Sequence, residues 1–433
     1  MYQLYSLLLT LGFLVLLPRF LFDAFRHGKY TAGFRERLGS FSPTKVPQPV
    51  IWLHCVSVGE TQAARPLVDL ISKHFPGHAL VVSTITLTGQ NLARKVFKDK
   101  AARVFYFPFD WRWTVRRALK EIRPAAVLLM ETELWPNFLR QCSVEKIPVA
   151  MVNGRLSARS SRRYRLVRNF FRRVVADLRL AIMQTEADAE RLKSLGFPDE
   201  RVLVSGNLKF DAGTLTASTP LTETLGQRFD LIDNNLILAA STHAPEEQII
   251  LESFQLVRQK IIPTPRLMIA PRHPERFNEV ASILQASGLS WKKRTEPETD
   301  TDRECDVILL DTIGELTAAY PLSALVFVGG SIANFGGHNI LEPAAVGTCI
   351  VTGANTHNFE AIVAAFVTAG AIIQLSRLTE REMVLKLARV MKDTLTDPQM
   401  RKLLGMRASR LVEENLGATE RTLNLLKRFA LIT

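Results

Sequence analysis

Short apolar runs typical of buried strands alternate with amphipathic helical patterns from residue 50 onward. Helical patterns at residues 60–73, 111–122 and 186–195 separate several of these runs. Chains in which strands and helices alternate build parallel sheets with helices on both faces. This alternation therefore predicts an α/β, doubly wound domain. The predicted strands of this first series lie at residues 50–56, 79–83, 104–107, 125–130, 148–152, 180–183 and 202–204.

A second alternating series begins at residue 236, and the pattern is helical from residue 379 to the end. Between the two series, residues 213–235 are polar and contain Pro220 and Gly226, which predicts an interdomain linker. The acidic segment 295–304 is predicted to be a surface loop. The sequence therefore predicts domains at residues 23–212 and 236–433 with a substrate cleft between them. Strands of the second series are predicted at residues 236–240, 267–270, 307–310, 325–328, 349–351 and 372–374.

The N-terminal segment is almost continuously apolar from residue 4 to residue 17, and apolar residues resume at 20–22. A full membrane span needs about 20 apolar residues, so this segment is of marginal length. The basic residues that follow would keep the rest of the chain on the cytoplasmic side. We interpret residues 1–22 as an N-terminal membrane anchor, either spanning or interfacial, with a buried core helix as the alternative. The basic residues are Arg19, Arg26, Lys29, Arg35 and Arg37.

The chain carries a formal charge of +13, which favours an anionic partner: nucleic acid, anionic lipid or a phosphorylated substrate. Nine arginines and three aromatic residues lie between residues 155 and 179. Apolar residues recur there at helical spacing, which predicts a basic amphipathic helix facing anionic lipid or a lipid-borne phosphate. A nucleic-acid-binding face and an ordinary solvated helix are the alternatives. The apolar positions are Leu166, Val167, Phe170, Phe171, Val174 and Val175.

Polar residues at the ends of the predicted strands differ between the two halves. In the first half, Glu60 and Glu131 follow strands and Lys209 follows the last one. In the second half, Arg272 and His273 follow one strand, and residues 313–315 follow another. Because ligands bind beyond the carboxyl ends of parallel strands, we expect acid–base chemistry in the first half and an anionic ligand in the second.

A glycine-rich loop between residues 329 and 347 follows the predicted strand at 325–328 and leads into a predicted helix start at Asn339. Strand, glycine-rich loop and helix start together are a common way to hold a phosphate. Glu342 lies in the first turn, where it could accept hydrogen bonds from ribose hydroxyls. Alternatively, Glu342 only complements the helix dipole and the glycines only make turns.

Motifs for metal or covalent chemistry are missing from the sequence. It contains no HExxH, Walker A or Gly-x-Ser-x-Gly motif, and residues 107–110 hold no DxD pair. The four cysteines are scattered without a CxxC pair, which indicates a reducing compartment and no disulfide framework. We therefore expect no cofactor and no essential metal bound at a dedicated site.

Six motifs, in order along the chain, carry a resemblance to a known family. They read VSVGE at 56–60, METELWPN at 130–137, NGRLS at 153–157, GNLKFD at 206–211, APRHPERF at 270–277 and GGHNILEP at 336–343. Together they closely resemble the 3-deoxy-D-manno-octulosonic acid (Kdo) transferases of lipopolysaccharide synthesis, glycosyltransferase family 30. The resemblance implies a GT-B fold with two Rossmann-like domains, an N-terminal acceptor domain and a C-terminal donor domain.

The resemblance also implies substrates and site residues. The donor would be CMP-Kdo, and the acceptor would be the lipid A precursor, lipid IVA, at the cytoplasmic face of the inner membrane. Glu60 matches the proton acceptor of the family, and Glu131 and Lys209 match positions that stabilise the transition state. A further set matches the CMP contacts of the family. Those residues are Arg272, His273, Ile313, Gly314, Glu315, Asn339, Ile340, Leu341 and Glu342.

In the implied reaction, Glu60 deprotonates an acceptor hydroxyl, which attacks the anomeric carbon with inversion. Glu60 lies at a predicted helix start, so the helix dipole predicts a lowered pKa for its carboxyl group. Glu36, in the family's ERxG element at residues 36–39, is the competing base. The alternatives to this function are another GT-B enzyme that uses a UDP-sugar, and a membrane-tethered nucleic-acid-binding protein.

Overall fold

The computed structural model describes residues 1–27, 33–41, 47, 49–212, 219–231 and 235–432. Lys29, residues 213–218 and 232–234 of the predicted linker, and the side chains of Arg19 and Arg26 lie outside what is described. The chain divides into two compact units. Unit 1 comprises Met1–Ala212 and Asn415–Thr433, and unit 2 comprises Gly213–Glu414. The prediction that everything after residue 235 belongs to the second domain is therefore wrong for residues 415–433.

The described strands of unit 1 form a seven-stranded parallel sheet in the order β3-β2-β1-β4-β5-β6-β7. All seven predicted strands of the first series are confirmed. The strand order reverses its direction between β1 and β4, so the topological switch point lies between these two strands. The strands are β1 Val50–His54, β2 Ala79–Thr84, β3 Ala101–Tyr106, β4 Pro124–Met130, β5 Val149–Gly154, β6 Leu180–Met183 and β7 Val202–Val204.

Helices cover both faces of this sheet, and this explains why its central strands are apolar at every position. All five residues of β1 are buried, as expected for a parallel strand that is covered on both sides. Trp52 packs with one face and Ile51 with the other. The helices before the second unit are α1 Tyr2–His27, α2 Phe34–Arg37, α3 Val58–His74, α4 Leu87–Val96, α5 Arg112–Ile122, α6 Pro136–Val144, α7 Ala158–Leu166, α8 Arg168–Ala176, α9 Glu186–Ser194 and α10 Lys209–Ala212.

The last helix, α19 (Ala418–Arg428), belongs to unit 1 because its apolar stripe completes that unit's core. Leu423 and Leu426 are buried in the same cluster as the β1 residues Ile51 and Leu53. The Asp211 carboxylate also accepts the backbone N–H groups of residues 417 and 419. Helical periodicity predicts that such a stripe is buried but not which core buries it.

The described strands of unit 2 form a second seven-stranded parallel sheet, in the order β10-β11-β9-β8-β12-β13-β14. All six predicted strands of the second series are confirmed. The half-buried edge strand β10 (Trp291–Lys293) was not predicted, because its three residues show no apolar run. The switch point lies between β8 and β12. The other strands are β8 Leu236–Thr242, β9 Arg266–Pro271, β11 Val307–Leu309, β12 Leu325–Val328, β13 Cys349–Thr352 and β14 Ile373–Gln374.

Part of the predicted linker is a helix that packs within unit 2. Helix α11 (Pro220–Arg228) begins with a capping box at Thr219 and buries Leu225. The Arg228 side chain donates to the fully buried Asp302 carboxylate at 2.7 Å, so residues 295–304 are not simply a surface loop. The remaining helices of this unit are α12 Glu246–Val257, α13 Phe277–Ala286, α14 Leu316–Ala319, α15 Leu341–Ala345, α16 Glu360–Thr368, α17 Glu380–Thr396 and α18 Pro398–Asn415.

Helix α1 packs along the outside of unit 1 and is not a buried core helix. The Tyr2 hydroxyl donates to Asp177 at 2.7 Å, and the Tyr5 hydroxyl donates to Asp110 at 2.9 Å. The opposite face of α1 is apolar and exposed. In the part of the chain that the structure describes, no helix is long and apolar enough to cross a membrane. The exposed apolar residues of α1 are Leu4, Leu7, Leu8, Leu11, Leu14, Val15, Leu16 and Phe22.

The arginine-rich stretch forms two helices, α7 and α8, which meet at Val167, rather than the single helix that was predicted. Phe171, Val174 and Val175 are buried in the core of unit 1, so most of the apolar face is already covered. Leu166 is 86% exposed, beside the exposed Val167. The prediction of a free amphipathic face is therefore wrong for α8 and applies only to the junction of the two helices.

Candidate active site

Glu60 lies at the switch point of unit 1, in the first turn of α3 directly after β1. Ser57 caps this helix, and its hydroxyl donates to one Glu60 carboxylate oxygen at 3.0 Å. The other oxygen accepts the Val56 N–H at 2.8 Å. The residue is only 6% exposed. The local fold thus holds the carboxylate in one position with two donors.

Burial, with a smaller contribution from Glu131, raises the pKa of Glu60 to about 8. Hydrogen bonds from Val56 and Ser57 act in the opposite direction but do not offset it. The prediction of a lowered pKa is therefore wrong. The helix dipole changes the pKa of a carboxyl group only modestly. Burial and a neighbouring negative charge both disfavour the ionised form, and here they raise the pKa by more than the dipole lowers it.

Glu131 and Lys209 form an ion pair beside Glu60. The Lys209 Nζ atom lies 3.3 Å from a Glu131 carboxylate oxygen, and both side chains are largely shielded from solvent. Glu131 follows β4 directly and has a φ of 53°, a left-handed conformation that is unusual for a residue with a side chain. Such strain is concentrated at functional sites. The three residues predicted to be catalytic thus come together at the carboxyl ends of the strands in one sheet.

Glu133 is a further acid at this edge that the sequence analysis did not select. Burial raises the pKa of its carboxyl group, and the charge of Glu131 raises it further. It lies in the METELWPN motif, so its place next to Glu131 was visible in the sequence. Nothing in the sequence showed that it would be partly buried.

Glu36, the competing base, has a structural partner. Its carboxylate accepts the backbone N–H of Tyr106 at 2.8 Å, at the end of β3. The adjacent Arg37 guanidinium lies 4.4 Å from the centre of the Tyr106 ring. Both residues thus fasten helix α2 to the end of β3.

In unit 2, the carboxylate of Glu246 lies where the glycine-rich loop was predicted to hold a phosphate. This residue begins α12, and its carboxylate accepts backbone N–H groups of the loop at 2.7–3.2 Å. Because these donors already bind an internal carboxylate, the predicted phosphate cradle is wrong for this part of the loop. The four donors are Gly330, Ser331, Ile332 and Ala333.

The helix predicted to start at Asn339 is the five-residue α15, which begins at Leu341. The Asn339 side chain accepts the Leu341 N–H and donates to a Glu342 oxygen, both at 3.1 Å. Glu342 also hydrogen bonds with the Tyr320 hydroxyl, and burial raises the pKa of its carboxyl group. The side chains of Ile340 and Leu341 are fully buried in the core, so a ligand can reach these two residues only through their backbone.

Arg272 and His273 follow β9 and are exposed. The positive charge of Arg272 lowers the pKa of both His338 and Glu342, which places its guanidinium among them.

Residues 313–315 follow β11, the direct neighbour of β9 in the sheet, so they lie at the same edge as Arg272. Ile313 is 76% exposed, and Glu315 pairs with Arg294 at 3.0 Å. The edge therefore combines cations, an acid and an exposed apolar side chain.

Two histidines that the sequence analysis did not select lie at the switch point of unit 2. His243 follows β8 directly, and the loop after β12 leads to His338. Their ring nitrogens, the Nε2 atoms, lie 2.8 Å apart. The rule that strand ends carry function, applied to Thr242, would have found His243. No cluster of three or more His, Cys, Asp or Glu suited to a metal ion occurs among the described residues.

The two parallel-sheet α/β units are like those of GT-B glycosyltransferases and epimerases. The fold is similar to S. aureus MnaA with UDP (TM-score 0.55, 17% identity, covering 89% of this chain and 98% of that one). It is also similar to a glycosyltransferase from Rickettsia africae (TM-score 0.55, 11% identity, covering 88% and 98%).

Sequence comparison gives the family. Residues 32–212 match the family model of the 3-deoxy-D-manno-octulosonic-acid transferases (kdotransferases). The chain is 33% identical to a Haemophilus influenzae 3-deoxy-D-manno-octulosonic acid transferase over 93% of its length and 92% of the relative. It is 32% identical to that of Bordetella pertussis over 90% of both. This chain belongs to the 3-deoxy-D-manno-octulosonic acid transferases. It is a glycosyltransferase of lipopolysaccharide biosynthesis.

Proposed function

We propose that this enzyme transfers Kdo from CMP-Kdo to the lipid A precursor, lipid IVA, with inversion at the anomeric carbon, and that Glu60 is the general base. The observation that carries the proposal is the position of the Glu60 carboxylate, which is buried at the switch point of unit 1, held by Val56 and Ser57, and next to Glu131. Its raised pKa, about 8, is in the range that suits a general base. The neighbouring Glu131–Lys209 pair supplies charge at the same strand edge.

The chemistry divides between residues of the two units. In unit 1, Glu60 takes the proton of the acceptor hydroxyl while the hydroxyl oxygen bonds to the anomeric carbon of Kdo. The bond from that carbon to the phosphate oxygen of CMP breaks, and its electron pair stays on the phosphate. Glu131 balances the positive charge of the oxocarbenium-like centre, and Lys209 holds the Glu131 carboxylate in place through their 3.3 Å contact.

Unit 2 binds the CMP part of the donor in this proposal. Arg272 supplies positive charge for the phosphate, and both Arg272 and His273 supply donors, since both are exposed at the end of β9. Residues 313–315 and 339–342 contact the nucleoside, with Glu342 available to accept hydrogen bonds from ribose hydroxyls. The negative charge that develops on CMP is met by these groups, without a cofactor or a metal bound by protein side chains.

The acceptor reaches the enzyme at a membrane surface in this proposal. The exposed apolar face of α1 suits the boundary between headgroups and acyl chains, as an interfacial anchor. Exposed arginines of α7 and α8 suit the anionic cytoplasmic face of the inner membrane. The enzyme is thus held where a phosphorylated lipid acceptor is found.

Product analysis tests the proposed function. The purified chain is incubated with lipid IVA and CMP-Kdo, and in parallel with UDP-sugars, and the lipid product is measured by mass spectrometry. We expect lipid IVA to gain mass by whole Kdo residues only with CMP-Kdo. Transfer from a UDP-sugar, or no Kdo adduct under conditions in which CMP-Kdo binds, would refute the proposal.

A further inference from the structure

His243 and His338 form a directly hydrogen-bonded imidazole pair at the switch point of unit 2. Their Nε2 atoms are 2.8 Å apart, their ring centres are 5.1 Å apart, and their planes differ by 7°. Because the ring centres are farther apart than the two nitrogens, the rings meet edge to edge. The distance is that of an N–H···N hydrogen bond, so a single proton lies between the two nitrogens.

The proton count of this pair is limited by its geometry. When both rings are neutral, one carries its proton on Nε2 and donates it, and the other carries its proton on Nδ1. One more proton fits on the remaining Nδ1 atom without breaking the link, whereas a second would place protons on both Nε2 atoms and break it. In the described part of the chain, neither Nδ1 atom has a hydrogen-bond partner. The pair can therefore bind one additional proton as a unit.

The packing around the pair fixes its position. His243 is 5% exposed and stacks on the Phe335 ring, with 4.0 Å between the ring centres. A side chain at Gly330 would approach the His338 ring to about 3.0 Å, so the glycine leaves room for the pair. Glu246 accepts the backbone N–H of His243 and the N–H of Gly330. The loops that carry the two histidines are thus tied to the same carboxylate.

The charged groups around the pair favour an anion. Burial, followed by the neighbouring cations, lowers the pKa of His243 to about 4 and that of His338 to about 3, so both are neutral at neutral pH. An anion that binds beside the pair would raise both pKa values. The charged or titratable groups that face the pair are Arg272, His273, Arg276, Glu246 and Glu247. Glu247 and Arg276 pair with each other, and Glu246 binds the loop N–H groups, so Arg272 is the cation available to a ligand.

We propose that His243 and His338 are part of the site for the donor phosphate, and that they take up one proton between them when that phosphate binds. This inference rests on the proposed function, because it takes a CMP-sugar as the donor. The charged pair and Arg272 then face the oxygen that receives the electron pair when the bond to the anomeric carbon breaks. The proton stays on the pair or moves to the phosphate of CMP, while the acceptor's proton is on Glu60.

Calorimetry of the full-length protein tests this proposal. The probe is cytidine 5′-(methyl phosphate), whose phosphate diester cannot take up a proton near neutral pH. Binding enthalpies at neutral pH are measured in buffers that differ in ionisation enthalpy, which gives the number of protons taken up. We expect net proton uptake when the probe binds, and we expect the uptake to grow towards one proton as the pH is lowered below neutral, because the bound anion raises the pKa of the pair from a value well below neutral.

Two variants and a matched control assign the proton. His243→Asn and His338→Asn should each bind the probe more weakly and lose most of the proton uptake. His74→Asn removes an exposed histidine from α3 of unit 1 and should retain it. Thermal unfolding checks that each variant is folded, and glutamine variants replace any asparagine variant that is not.

Proton uptake near zero in the unmodified protein, with tight binding of the cytidine probe, would overturn the role of the histidine pair but not the proposed function. Uptake that persists in both variants would overturn it as well, because another group such as Glu342 then takes the proton. Binding of the corresponding uridine ester in place of the cytidine ester would instead overturn the donor assignment in the proposed function.

Discussion

Glu60 and Glu246 occupy corresponding positions in the two units, and their partners differ. Each lies in the first turn of the helix that follows the first strand of its unit, at a switch point. The Glu60 carboxylate accepts one backbone N–H and one hydroxyl. The Glu246 carboxylate accepts five backbone N–H groups, from His243 and four loop residues. Burial raises the pKa of both groups. The difference suggests that Glu246 holds the fold together and that Glu60 is left for chemistry.

The groups next to these carboxylates differ in the same way. Glu60 lies next to Glu131, whose charge adds to its raised pKa. Around Glu246 lie the His243–His338 pair and the cation Arg272. One switch point thus concentrates acids and suits proton abstraction, while the other concentrates groups that attract an anion. Both switch points lie in doubly wound parallel sheets, and function depends on the side chains at the strand ends.

Glu60→Gln gives the largest expected effect. Glutamine keeps the size of the side chain but cannot accept the proton, and general-base catalysis contributes about 10²–10⁴-fold. Turnover should fall by about this factor, with CMP affinity near that of the unmodified enzyme. The pKa of about 8 also predicts that unmodified turnover rises with pH through about 8, where the base becomes ionised, and then levels off.

The control for this prediction is Glu36→Gln, measured for turnover and for CMP binding. The Glu36 carboxylate accepts the Tyr106 N–H. Replacing this carboxylate with an amide should therefore lower the stability of the protein more than its turnover. If Glu60→Gln keeps more than about a tenth of turnover while Glu36→Gln is inactive with normal CMP binding, the base is Glu36.

Glu246→Ala should be the most destabilising change at either switch point. It removes the acceptor of five N–H groups, four of which are in buried contacts, and each unsatisfied buried group costs about 1–3 kcal/mol. We expect the free energy of unfolding to fall by about 3 kcal/mol or more, measured by chemical denaturation. Glu60→Ala is the matched change in unit 1 and should cost much less. Equal losses would show that the two carboxylates do not differ in their structural role.

Arg272→Ala and Glu342→Ala should each weaken CMP binding while the fold stays intact. Losing a hydrogen bond to a charged group costs roughly 1.5–3 kcal/mol, which is about tenfold or more in affinity. Calorimetry with CMP measures the effect, and the exposed Arg389→Ala in α17 is the control. Unchanged CMP affinity in both site variants would show that the nucleotide does not bind at the switch point of unit 2.

The sequence predicted the fold well because parallel strands covered on both faces are apolar at nearly every position. Every predicted strand is present, whereas β10, with two lysines in its three residues, was missed. Two assignments failed because local patterns do not identify a partner in three dimensions. Helix α19 has an apolar stripe that fits either core, and α11 lies in a polar segment but buries Leu225 and Arg228.

The candidate site was predictable in position but not in electrostatics. Strand ends identified Glu60, Glu131 and Arg272 because parallel strands end at one edge. The raised pKa of Glu60 depends on burial by distant segments, and the glycine-rich loop binds a carboxylate that lies 84 or more residues earlier in the chain. His243 and His338, 95 residues apart, meet only in the folded sheet. Such pairings depend on tertiary contacts that motif spacing does not contain.

Ser57→Ala has the smallest expected effect. It tests how far the Ser57 hydroxyl lowers the pKa of the Glu60 carboxyl group. The Ser57 hydroxyl donates to Glu60 and lowers the pKa of its carboxyl group, against burial. Its loss should raise that pKa further, so the rise of turnover with pH moves to higher pH and neutral-pH turnover falls several-fold. Removing the cap of α3 should also cost about 1 kcal/mol of stability. Thr185→Ala removes the cap of α9 at a similar cost and should leave the pH profile unchanged. A profile that shifts equally in both variants would show that Ser57 acts through stability, and not through the ionisation of Glu60.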